Sequence, residues 1–201
     1  MLNNPLIVID TETGGTNPNE HSLLTVALMV VKNHEIVDFK EWKIKHSTYC
    51  VTSKALEING IDIKQHDKEA MVAKEVAKQI NLFISKHCSK QNKGILVGQN
   101  TIFDKNFIET FLSSVGSTYL EEFYRLVSRR YIDLMSITAF MNMTGVLDTD
   151  GLGLDAVIKE LDLPVKARHT ALDDAQLTLL GLYKMIQFIN PQISLIGESL
   201  S

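Results

Sequence analysis

Nine consecutive residues, Leu23 to Val31 (LLTVALMVV), run without a charge, and a shorter apolar run, Leu6 to Ile9, precedes them. Both are short and rich in β-branched side chains, which favours strands over helices. Successive side chains of a strand point to opposite faces, so runs like these bury both faces, and the sheet that holds them must be covered on each side. Gly14 and Gly15, followed by Asn17-Pro18-Asn19, supply turn chemistry between the runs. An antiparallel pair is predicted, with a third strand around Ile36 to Ile44 extending the meander.

The period then changes. Ala73, Val76, Ala77, Ile80 and Phe83 or Ile84 recur at three and four residues, with Lys74, Glu75, Lys78 and Gln79 between them, the pattern of an amphipathic helix packed on a sheet. Gly94 to Gly98 (GILVG) reads as a short interior strand, and Phe103, Phe107, Ile108, Phe111, Leu112 and Val115 trace another helical face. Shorter helices are expected near Leu120 to Ser128, Leu134 to Met141 and Leu152 to Leu161, and a last one from about Thr170 to Ile189. Strands first, then alternation, then helices, imply a mixed α/β sandwich with helices on both sides of the sheet. The four prolines fall at element ends, and no linker or repeat divides the 201 residues. One domain is expected over 3–190, with 191–201 a short tail that reads as a frayed terminus rather than a docking segment.

Twenty basic against 24 acidic residues leave a net charge of −4, so a polyanionic partner must be gripped by a local basic patch, and histone-like wrapping is excluded. MLNNPLIVID has no basic region ahead of its apolar run, and no stretch approaches the roughly 18 to 20 apolar residues of a membrane span. No membrane partner and a cytoplasmic location are the expectation. Cys50 and Cys88, without CxxC spacing, read as two reduced thiols.

The chemistry lies in the carboxylates. Asp10 and Glu12 end the first buried strand two residues apart, on one face and roughly 6.5 to 7 Å apart along the strand. A turn aspartate beside a solvated glutamate explains such a pair, but like charges at the edge of a buried strand also ask for a cation, and hard Mg²⁺ or Mn²⁺ suits oxygen donors. Asp104 opens the helix after GILVG and leans toward its buried side; Asp173 and Asp174 lie in the first turn of the last helix, with His169 at its mouth. Helix N-termini favour acids by their dipole, so each alone has a bland explanation. Together they suit a site for two divalent ions and a general base.

VIDTETGG at 8–15, VGQNTIFDKNF at 97–107 and HTALDDAQ at 169–176 resemble, in order, composition and spacing, the three motifs of the DEDDh 3′-to-5′ exonuclease superfamily. ALEINGID at 55–62 is similar to the segment between the first two motifs in the ribonuclease T and proofreading ε-subunit branches, and YIDLMSI at 131–137 to the family's intervening strand-to-helix junction. The resemblance implies a ribonuclease H-like mixed sheet flanked by helices on both faces. It places the metal ligands on Asp10, Glu12, Asp104 and Asp174, the general base on His169, and two divalent cations, Mg²⁺ or Mn²⁺, between them. Asp174 is preferred to Asp173 on the family's H-x(4)-D spacing alone. In one continuous helix 169 and 173 would share a face and 174 would lie about 140° away, so His169 is placed in the preceding loop. Gln99 departs from the histidine often found before asparagine in the second motif.

The implied reaction is hydrolysis of phosphodiester bonds at the 3′ ends of single-stranded RNA or DNA, releasing nucleoside 5′-monophosphates, with His169 taking the proton of the attacking water. A histidine base must start neutral, so activity should fall on acidification. Substrate contacts are expected from Thr13 and Gly14 through the backbone, with Asn100 and Phe103 as weaker candidates, Phe103 reading first as a core residue. Lys105, Arg125, Arg129, Arg130, Lys166 and Arg168 are candidates for the phosphate patch, or solvated helix faces. A metal-dependent phosphomonoesterase acting on nucleotides and a polymerase-associated proofreading subunit stay open as alternatives. ALEINGID leans toward a free-standing enzyme of ribonuclease T type, and a homodimer and a polymerase partner remain open.

Overall fold

The structure, a computed structural model, describes residues 4–165 and 170–195. β1 (Leu6–Thr13), β2 (Leu23–Lys32) and β3 (Glu35–Lys45) form the expected antiparallel meander. Between β3 and the next strand come two short helices, α1 (Ser53–Asn59) and α2 (Ile63–Glu69). The remaining strands are β4 (Met71–Val72), β5 (Gly94–Gly98) and β6 (Val127–Asp133), and the six-stranded order is β4-β3-β2-β1-β5-β6. β5 runs parallel to β1 and β6 parallel to β5, so the sheet is mixed.

Every residue of β2 from Leu23 to Val31 is buried, because helices cover both faces. The pleat sorts the apolar side chains. Ile7, Ile9, Leu28 and Val30 pack with α3 (Ala73–Ser85), α4 (Thr101–Val115) and α5 (Ser117–Leu126), while Val8, Met29 and Val31 pack on the other face. That second layer holds α6 (Leu134–Met143), α7 (Leu154–Glu160) and α8 (Ala171–Ile189).

The structure departs from expectation in two places. The helix expected to run to Ser128 stops at Leu126, and Val127 to Asp133 become β6 instead. Tertiary pairing decides this: β5 offers an open edge, and Val127 and Ile132 fit it opposite Gly94 and Val97. The two seven-residue helices α1 and α2 were not anticipated, since they are too short to show an apolar period. Their ends do carry signals, in Thr52 capping Ala55, in the left-handed Gly60 (φ 65°) and in Asp62 capping Lys64 and Gln65. Leu195 is buried in the layer around α8. Among the described residues no helix is long and apolar enough to cross a membrane, and Cys50 and Cys88 are both free thiols.

Candidate active site

β1 lies between antiparallel β2 and parallel β5, so β1 finishes and α4, which follows β5, begins at the same end of the sheet. Asp10 and Glu12 project from one face of β1. The first turn of α8 lies over that face, and one carboxylate oxygen each from Asp10, Glu12 and Asp174 lies within 4.8 Å of the others. All three residues are half-buried. Three convergent carboxylates form an all-oxygen donor set, which fits a hard divalent cation.

The two neighbouring acids of α8 part company. Thr170 caps the helix by accepting the Asp173 N–H at 3.2 Å, and its hydroxyl also bonds the Asp173 carboxylate. The Asp174 N–H goes to the Thr170 carbonyl at 3.1 Å, and its side chain joins the carboxylate group.

Asp104 reaches the end of β1 from the other layer. It is 3% exposed and accepts the Thr11 hydroxyl at 2.7 Å, and Thr11 points away from Asp10 and Glu12 by strand alternation. It therefore stands beside the three-carboxylate group rather than within it. Burial pushes its pKa up to about 7, helped by the Asp133 charge and opposed by the bonds from Thr11 and the backbone. His169 falls outside the described residues, as do Lys166 and Arg168.

A cleft of about 470 Å³ opens beside Glu12, lined among others by Thr11, Thr13, Ile58, Asn59 and Phe103, with Lys54 also on its wall. Phe103 serves both readings, since it walls the cleft and packs on Phe107 with ring centroids 4.9 Å apart. The Thr13 hydroxyl donates to the Gly15 carbonyl at 2.7 Å, and the Thr13 carbonyl accepts the Asn59 side-chain amide at 3.2 Å. Gly14 is engaged inside the protein. Its N–H donates to Ser22 at 2.8 Å and its carbonyl accepts from Thr52 at 2.7 Å. Asn100 sits in the left-handed region (φ 61°) at the start of α4, where its carbonyl accepts the Phe103 N–H. Gln99 donates to the Leu152 carbonyl at 2.6 Å and so ties the second motif to the loop before α7.

Part of the expected basic patch is neutralised locally: Lys105 pairs with Glu109 at 2.7 Å and Arg125 with Glu122 at 2.6 Å. Lys54, Ile58 and Asn59 were not singled out as functional, although they lie in or beside the ALEINGID segment.

The comparisons agree with this architecture. The chain is 24% identical over 187 residues to the PolC-type DNA polymerase III of Thermotoga petrophila, covering 93% of this chain and 12% of that protein. It is 32% identical over 112 residues to ribonuclease T of Buchnera aphidicola, covering 51% of each. It spans, that is, about an eighth of the polymerase and half of the ribonuclease. E. coli exonuclease I, solved in complex with a dT13 oligonucleotide, superposes with a TM-score of 0.76 at 16% identity, over 94% of this chain and 42% of that one, which makes the fold ribonuclease H-like. The profile of the RNase_T exonuclease family matches residues 7–181, a stretch that holds β1 with its two acids, Asp104 and the first turn of α8, and the chain belongs to that family.

Proposed function

We propose that the chain is a 3′-to-5′ exonuclease that trims single-stranded nucleic acid to nucleoside 5′-monophosphates, with Asp10, Glu12, Asp104 and Asp174 holding two divalent cations, Mg²⁺ or Mn²⁺, and His169 as general base. The observation that carries this reading is the meeting of Asp10, Glu12 and Asp174 from β1 and α8. Family membership supports the nuclease class. When bound, the cations would offset the charge of the phosphodiester and acidify the attacking water.

The chain's own groups do the rest. Asp10 and Glu12 lie on a stretch of β1 paired with β2 opposite Ala27 and Thr25, past the pairing of Leu6–Val8 with β5, so their spacing is set by the sheet rather than by side-chain freedom. His169, when neutral, takes the proton of the attacking water. Phe103 and Ile58 give the cleft apolar walls on which a terminal base can stack whatever its identity. Lys54 meets phosphate at the wall and Thr13 lines the cleft, while Gly14 holds Thr52 through its carbonyl and Asn100 begins the helix that carries Phe103.

A second reading, proofreading beside a polymerase, is favoured by one observation. The PolC-type relatives align with 91–93% of the chain, whereas ribonuclease T aligns with about half. Faster removal of a mismatched than a matched 3′ end would favour it.

The test is a gel time course on 5′-labelled single-stranded DNA and RNA of one sequence, with Mg²⁺ or Mn²⁺ and with chelator, for wild type and Asp174→Ala. Metal-dependent ladders shrinking from the 3′ end, absent in the variant, are expected. Intact strands together with rapid hydrolysis of nucleoside monophosphates would replace the exonuclease by a phosphomonoesterase.

A further inference from the structure

Glu41 stands on β3, two strands from Asp10, yet the ladder sets them in one row: Asp10 is opposite Ala27, and Ala27 is opposite Glu41. Directly opposed residues of an antiparallel sheet project to the same face, so Glu41 shares the face of Asp10 with only the Ala27 methyl between them. Glu12, Thr25 and Lys43 form the next row, and Lys43 is ion-paired to Glu69 of α2.

The first turn of α8 lies over these rows. A helix cannot satisfy its own first N–H groups. In α8 the Asp173 N–H goes to the Thr170 hydroxyl and the Asp174 N–H to the Thr170 carbonyl. The Leu172 N–H is met from outside, by the Glu41 carboxylate at 3.1 Å across 131 residues of sequence. Such a bond is charge-assisted and favoured by the helix dipole. It ties the sheet that carries Asp10 and Glu12 to the helix turn that carries Asp174, two residues beyond Leu172. Each residue along a helix turns the side-chain direction by about 100°, so even a small slip of this turn would swing Asp174 off the other two carboxylates.

We propose that Glu41 is a positioning residue for the divalent-cation site, holding the first turn of α8 where Asp174 meets Asp10 and Glu12. It rests on reading those three as metal ligands. Glu41 acts through Leu172 and needs no contact with metal or substrate.

The experiment measures Mn²⁺ binding to the full chain by titration calorimetry, the Mg²⁺ concentration for half-maximal trimming, and the exchange rate of the Leu172 amide proton. The variants are Glu41→Ala, Glu41→Gln and Asp174→Asn. Both Glu41 variants remove the charge, but only glutamine keeps an oxygen acceptor. Glu41→Ala should weaken Mn²⁺ binding by about tenfold or more, the usual scale for an outer partner of a ligand. It should also raise the Mg²⁺ requirement and speed Leu172 exchange, while KM for the oligonucleotide at saturating Mg²⁺ stays put. Glu41→Gln should retain most of the wild-type affinity and protection. If alanine and glutamine behave alike, both weak or both unaffected, the hydrogen bond is not what matters and the proposal is overturned. If Asp174→Asn binds Mn²⁺ as tightly as wild type, the metal-site reading fails instead. Should Glu41→Ala not fold, Glu41→Asp against Glu41→Gln decides: the acid one methylene shorter should be the weaker binder, and equal binding overturns the proposal.

Discussion

The Thr11 hydroxyl donates to the Asp104 carboxylate at 2.7 Å, joining the residue between Asp10 and Glu12 to an acid in the opposite helical layer. The end of β1 thus meets acidic groups on both faces, its own Asp10 and Glu12 on one and Asp104 of α4 on the other. Asp104 is 3% exposed, and burial raises its pKa from 3.8 to about 7. A carboxyl raised in this way stabilises the fold while protonated, and that contribution is lost as the pH climbs from about 4 through about 7. At pH 8 in chelator, neutral and isosteric Asp104→Asn should therefore be more stable than wild type, by on the order of 1–3 kcal/mol. With Mg²⁺ the order should invert, because the wild-type carboxylate gains a cation and asparagine does not. Thermal melts at pH 8, with chelator and with Mg²⁺, read both halves. No gain in chelator would mean that the buried charge is already compensated.

The adjacent acids of α8 offer an internal control. Asp173 is held by Thr170, whereas Asp174 points to Asp10 and Glu12. Asp173→Asn should cost about 1 kcal/mol or less through the cap and leave trimming close to wild type. Asp174→Asn should weaken Mn²⁺ binding by at least ~10- to 100-fold and remove trimming in proportion. Equal losses in the two variants would remove the distinction that the geometry draws.

The choice between these two acids shows what the sequence can carry: helical geometry from His169 favours 173 and only the family's spacing favours 174, whereas the grouping of 174 with the β1 acids and the bond of 173 to its cap are features of the structure. The two-faced burial of β2 was legible because a run of apolar residues has few other uses. The face of the sheet from which each acid arrives was not, since Asp104 lies 93 residues from Thr11 and their pairing depends on β5 running parallel to β1. Glu41 and Asn59 were silent for the same reason. Each makes a long-range bond to backbone, to Leu172 and to Thr13, and a bond to backbone leaves no trace in the partner's identity. The strand-to-helix junction that the family resemblance implies at 131–137 is there, with β6 ending at Asp133 and α6 starting at Leu134, but the switch from α5 to β6 at Val127 was hidden because an open edge of β5 overrides local helical pattern.

His66 should govern part of the acid stability. It is buried between α2 and β3, with Nε2 3.2 Å from the Ile44 carbonyl, and its pKa lies below the ordinary histidine value, chiefly through burial and secondarily through the Lys43 and His46 charges. A base with a lowered folded pKa gives stability that is present above its unfolded value near 6.5 and lost as the pH falls below it. His66→Gln should flatten the decline of unfolding free energy between pH 7 and 5, as urea titrations can show. An unchanged slope would place the acid-sensitive group elsewhere. Because His169 is read as a base that must be neutral, stability and trimming should be followed separately across this range.

Gly14 and Gly60 bracket the cleft segment and should respond differently to alanine. A Cβ on Gly14 would stand 2.2 Å from the Cys50 carbonyl oxygen and 2.9 Å from a Val51 methyl, and the first of these is backbone that no rotamer change can clear. The link from Thr52 to the Gly14 carbonyl must then stretch, which loosens α1 and its Ile58 from the cleft floor at Thr13. Gly14→Ala should therefore cost about 1–3 kcal/mol and raise KM for an oligonucleotide more than it lowers kcat. Gly60 has open space around its missing side chain but a φ of 65°, so Gly60→Ala meets only backbone strain, about 1 kcal/mol, with KM held. Urea titrations and steady-state trimming on one oligonucleotide compare the two. A KM shift in Gly60→Ala as large as in Gly14→Ala would show that the cleft depends on the α1 cap rather than on the close packing of Gly14 against Cys50.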